Sequence, residues 1–128
     1  MIPIYGRLTS LFRSAVINAS AEMVDIQLPT TNAIIRTHKA LILHFAGRLL
    51  VGKERGFLEA TTDTIDIFAD WYESTVRCFN AWLYTGAFRE TTSDETADLY
   101  LFADYYCITA FKETVYTRIV THFGCFGD

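Results

Sequence analysis

Between Thr64 and Gly86 the spacing of apolar residues changes period within a few positions, and the rest of the chain can be laid out around that stretch. Ile65 and Ile67 alternate with Thr64 and Asp66, which predicts a strand over Thr64 to Phe68 with one buried face. Asp70 stands three residues before Glu73, the spacing of a capping box in which each side chain satisfies a free amide at a helix start. Val76, Phe79 and Leu83 then fall on one helical face, and Gly86 supplies the left-handed residue that closes many helices.

Upstream, Tyr5, Leu8, Phe12 and Ala15 form a short apolar stripe, with Arg7, Ser10, Arg13 and Ser14 off it, which predicts a helix from about Tyr5 to Ile17. Val24, Ile26 and Leu28 alternate with Asp25 and Gln27, and Pro29 to Asn32 carry turn chemistry. A second strand over Ala33 to Thr37 then completes a hairpin whose register the loop leaves open. From His38 the period becomes helical through Ala40, Leu41, Phe45, Leu49 and Leu50, as one helix or, by preference, two short ones broken near Gly47. Downstream, Thr92 and Glu95 make a second capping-box pair, opening a helix that runs through Tyr106. A last helix extends from Thr109 to about His122, with Phe111, Val115 and Ile119 at spacings of four and Gly124 beyond it. Ile65, Ile67, Val76, Phe79, Leu83, Leu41, Ala103 and Phe111 are the expected core.

Composition narrows the class. The 128 residues fit one domain, and 51% hydrophobic with 15% aromatic residues provides apolar surface for a packed core. A net charge of −4 argues against a phosphate-backbone partner. The N-terminal segment lacks a basic stretch followed by an unbroken apolar run, and no stretch approaches the ~20 apolar residues of a membrane helix, so neither a signal peptide nor a membrane association is expected. Cys78, Cys107 and Cys125 are odd in number and widely spaced, which reads as reduced thiols and a cytoplasmic or nuclear location. The sequon at Asn18 is then a chance match.

Four segments in order resemble the BTB/POZ family: Val24-Asp25-Ile26-Gln27-Leu28, then Ile35-Arg36-Thr37-His38-Lys39-Ala40-Leu41-Ile42, then Leu83-Tyr84-Thr85-Gly86, and Ala103-Asp104-Tyr105-Tyr106-Cys107-Ile108 before the last helix. Gly47 and Phe68 depart from that pattern, which often has proline in both regions. The resemblance implies an α+β fold, a cluster of helices capped by a sheet of three or more strands. It also implies a division into an N-terminal helical extension over 1–21, the domain over 22–123 and a tail over 124–128. By the same resemblance the chain is a protein-interaction module that homodimerises, with a cullin scaffold as a further partner in ubiquitin transfer. A monomeric bridging adaptor of the same fold is the alternative. Leu8 and Phe12 of the N-terminal helix, with Asp25 and Lys39 meeting in a charged pocket, are the implied dimer interface, and Phe57-Leu58-Glu59 matches the cullin-docking motif. Phe57 is equally readable as core.

An enzyme is the competing class, and it needs converging polar groups in a pocket. His122 and Cys125 are spaced like metal ligands, but two ligands do not make a site. His38 opens an apolar helix and reads as a local hydrogen-bonding residue, and His44 as exposed. The polar loop Gly52 to Gly56 lacks the order of a phosphate-binding loop, and Cys78 beside the buried stripe reads as packing. Neither a catalytic residue nor a cofactor, metal or small-molecule substrate is therefore expected.

Overall fold

The computed structural model of the chain describes residues 13–18, 22–47 and 64–122. Leu8, Phe12, Phe57, Leu58, Glu59, Gly124 and Cys125 lie outside them. The described residues form a mixed α+β structure of five helices and a three-stranded sheet. Helix α1 covers 13–18. Strands β1 (Met23–Leu28) and β2 (Ala33–His38) make the expected hairpin, and α2 (Lys39–Ile42) follows directly, continuing as a π-helical turn over Leu43–Gly47. Strand β3 (Thr64–Ile65) precedes α3 (Glu73–Thr85), α4 (Ser93–Tyr105) and α5 (Thr109–His122).

The sheet runs β2-β1-β3, with β1 antiparallel to β2 and parallel to β3. The hairpin pairs Ile26 with Ile35 and Val24 with Thr37. All four are buried, so the period-two pattern and the register place one apolar face against the helices. Two backbone bonds close the turn, Thr31 N–H to Leu28 C=O and Asn32 N–H to Pro29 C=O, both 3.2 Å. Asn32 takes the left-handed φ of 57° that asparagine tolerates better than most side chains.

Three expectations are corrected near the centre. The strand stops at Ile65, because the chain turns over 67–70 with Ala69 N–H bonded to Asp66 C=O and Trp71 N–H to Phe68 C=O. That turn leaves Ile67 half-buried and drives Phe68 fully inside. Asp70 and Glu73 form no capping box: the N-cap of α3 is Tyr72, which makes no side-chain cap bond, and Glu73 pairs with Arg77 one turn on at 2.6 Å. In α1 it is Arg13 that is buried and Ala15 that is exposed, the reverse of the predicted stripe. A long side chain with a flat cation covers more apolar surface than a methyl group can.

The other expectations for the core hold. Val76, Phe79, Leu83, Leu41, Ala103 and Phe111 are buried, as is Ile65. Phe68 is the aromatic hub, with ring centroids 5.9 Å from Phe79, 5.2 Å from Phe102 and 5.0 Å from Tyr106. Tyr106 donates its hydroxyl to Ile67 C=O at 2.7 Å and accepts from Trp71 Nε1 at 3.2 Å, which pins the turn after β3 to the end of α4. At the start of α4 the Thr92–Glu95 capping box is complete, at 3.1 and 3.0 Å. At its end Cys107 N–H bonds Asp104 C=O and Ile108 N–H bonds Ala103 C=O, a Schellman closure with Cys107 at φ 56° where glycine is usual.

Candidate interaction site

The segments that carry the family resemblance lie in β1, at the β2–α2 junction, at the end of α3 and at the α4–α5 corner. Two of them touch. Tyr84, in the last turn of α3, places its hydroxyl 2.9 Å from the backbone N–H of His38 and 2.5 Å from its Nδ1. The hydroxyl accepts from the backbone amide, and its single proton can go to a neutral Nδ1. His38 therefore bonds across the fold, and the expected local bond is replaced by one that ties the first helix of the core to the central one. Their rings meet edge to face at 5.6 Å.

Asp25 and Lys39 do not pair with each other within the chain. Asp25 faces Arg36 directly across the hairpin and accepts from its Nε at 3.0 Å. The Arg36 side chain is two-thirds exposed, so solvent screens this pair and its contribution to stability is small. The Asp25 hydrogen bond, and then its charge, raise the Arg36 pKa above the ordinary value. Lys39 is buried along its stem, with its Nζ 3.8 Å from Glu22. Registry across β1 and β2 selects these partners, since position 36 lies opposite 25 and position 39 beside the residue that precedes β1. The remaining members of the implied interfaces, Leu8, Phe12, Phe57, Leu58 and Glu59, fall outside the described residues.

The chain matches no family model and no curated protein. Among the described residues α4 and α5 each expose apolar side chains at helical spacing. Leu101 and Tyr105 of α4, and Tyr116 and Val120 of α5, are four apart in each helix and all exposed. Between the helices an open groove of about 520 Å³ is lined by Tyr100, Thr109, Lys112, Glu113, Tyr116 and Thr117. Lys112 is engaged there with Asp104 at 2.7 Å, which raises its pKa, and it lies over the Tyr100 ring. Exposed tyrosines of this kind present a large rigid face with a polar tip, the composition of interaction surfaces. The signal was in the sequence: both helices carry apolar residues around much of their circumference, more than one buried stripe requires.

The groups considered for chemistry stand apart. Cys78 is buried and burial pushes its thiol pKa up, which favours the packing role expected of it. His44 is exposed, and His122 lies 3.9 Å from Glu90. Among the described residues no group of three or more metal-ligating side chains converges, and no helix is long and apolar enough to cross a membrane.

Proposed function

We propose that the chain is a protein–protein interaction module of the BTB/POZ kind, acting inside the cell in cytoplasm or nucleus, that associates as a homodimer and holds substrates on a cullin scaffold for ubiquitin transfer. The observation that carries this reading is the His38–Tyr84 contact, because it joins two of the four segments on which the resemblance rests and gives each a reason for its residue type. The exposed Leu101, Tyr105, Tyr116 and Val120 add surface suited to a protein partner.

Light scattering at tens of micromolar tests the self-association, since even an interface of ~6 kcal/mol begins to show in that range. A dimer is expected, and Asp25→Asn or Lys39→Ala is expected to weaken it. A monomer under those conditions ends the homodimer reading; a monomer that binds a cullin N-terminal fragment is instead a bridging adaptor. The docking arm uses Phe57→Ala and Glu59→Lys, each first shown to melt like the parent. Phe57→Ala should lose ~2 kcal/mol or more of binding, while Glu59→Lys should act mainly on association rate and salt dependence. If the parent binds no cullin, or both folded variants bind as it does, the adaptor role is wrong.

A further inference from the structure

Arg13 is only 2% exposed, although arginine is among the residues least often buried. Its surroundings are specific. Nε donates to Leu83 C=O at 3.0 Å, and Cζ lies 4.7 Å from the centroid of Phe45 and 4.9 Å from that of Trp82. The Leu83 carbonyl is available because the amide one helical turn on, Ala87 N–H, donates to the Thr85 hydroxyl at 3.1 Å instead. A cation at that place also meets the negative end of the α3 dipole. Gly86 completes the wall: a Cβ there would lie 3.3 Å from Arg13 Nη1, and the residue's φ of 82° already favours glycine. Nη1 itself is enclosed and finds no hydrogen-bond partner among the described residues.

Two aromatic rings, one carbonyl in line with Nε and a glycine floor match a flat, weakly hydrated cation. An ammonium would surrender a tighter hydration shell for a single acceptor. We propose that the socket formed by Phe45, Trp82, Gly86 and the Leu83 carbonyl is a guanidinium-binding site, filled by Arg13 of the same chain, whose ligand class is the arginine side chain. Occupancy by Arg13 latches α1 onto the core. Burial lowers the Arg13 pKa. The proposal is independent of the cullin and dimer readings, since every group in it belongs to one chain.

The test is rescue in the full chain. Arg13→Ala empties the socket, and propylguanidinium is titrated against it at constant ionic strength, with propylammonium as the matched control. The readouts are the melting temperature and the NMR signal of the Trp82 indole N–H, which donates to Thr114 Oγ1 at 3.1 Å and so reports on that wall. A saturable shift in the millimolar range is expected with propylguanidinium, together with partial recovery of the lost melting temperature. Propylammonium should give neither, and the parent should not respond. Equal responses to the two cations, equal responses in parent and variant, or no response at all overturns the proposal. Should Arg13→Ala fail to fold, the parent decides: Arg13 Nε–H should exchange with water far more slowly than that of Arg77, whose side chain is half exposed, and comparable rates refute the latch.

Discussion

Tyr84→Phe isolates the contact on which the functional reading depends. The substitution keeps the ring, its packing and the helix propensity, and removes only the hydroxyl that serves two groups of His38. One neutral hydrogen bond nets about 0.5–1.5 kcal/mol, and a buried amide left without its acceptor costs about 1–3 kcal/mol. Both residues are half-buried, so water partly replaces the lost acceptor and the lower part of that range applies, about 1–2 kcal/mol. With a urea m-value of about 2 kcal/mol per molar for a small domain, the midpoint should fall by roughly 0.5–1 M with m unchanged. His38→Ala removes the ring contact and leaves the backbone bond. A double-mutant cycle over the two positions should therefore show a coupling of roughly 1 kcal/mol, distinct from the backbone share. An unmoved midpoint for Tyr84→Phe, or a coupling within ~0.3 kcal/mol of zero, would mean that the two segments are adjacent without being joined.

Leu83→Ala, at a fully buried position beside Trp82 and the Arg13 socket, should cost roughly 2–5 kcal/mol by denaturant titration, and an unchanged melting temperature would contradict its burial. Cys107→Gly should stabilise the chain by about 1 kcal/mol, because the left-handed φ of 56° that closes α4 strains any side chain there; a lowered melting temperature would show that the thiol contributes more than the strain. Thr92→Ala removes half of the only complete capping box among the described helices and should lose about 1 kcal/mol. The Arg89 hydrogen bond and then the Thr92 amide depress the Glu95 pKa, so its contribution is present above the ordinary carboxylate range and is lost as pH falls through the lower, folded value. Acid titration of Glu95→Gln should accordingly show a flatter loss of stability below about pH 4.5 than the parent; identical profiles would remove Glu95 from the acid response.

Local signals in the sequence were sufficient wherever one element decides the outcome. The alternation in β1 and β2, the Thr92–Glu95 pair and the bounds of α5 needed no tertiary information, since period and cap spacing are properties of a single segment. The failures occur where the deciding partner is remote. Asp70 and Glu73 have the spacing of a box, but a box requires Asp70 to be the residue just before the helix; the chain enters at Tyr72, so Glu73 is the first helical residue and faces Arg77. Ile67 and Phe68 are adjacent and both apolar, and the turn over 67–70 together with the remote rings of Phe79, Phe102 and Tyr106 decides that Phe68 turns inward. Arg13 was legible as polar and not as buried, because the carbonyl that receives it lies seventy positions along. The same limit hid the partner of His38, forty-six positions away, and the partners that Asp25 and Lys39 take within the chain, Arg36 and Glu22.

The two seams of the sheet differ in how far apart in the chain their partners lie. The β1–β2 seam is closed by a short turn and can form as soon as its residues are free to move, on the timescale of an isolated hairpin. Among the described residues the β1–β3 seam sets Thr64 beside Asp25 and Ile65 beside Ile26, a parallel pairing that requires closure of the whole intervening chain. A pairing across so long a closure cannot lead the search for the native state. The seam should close after the collapse of Phe68, Phe79 and Phe102 has already brought its ends together, which makes it a late event in folding and an early one in unfolding. Weakening Ile65 would then hasten unfolding and leave the folding rate almost untouched, so the edge strand governs how long the native state lasts more than how quickly it is reached.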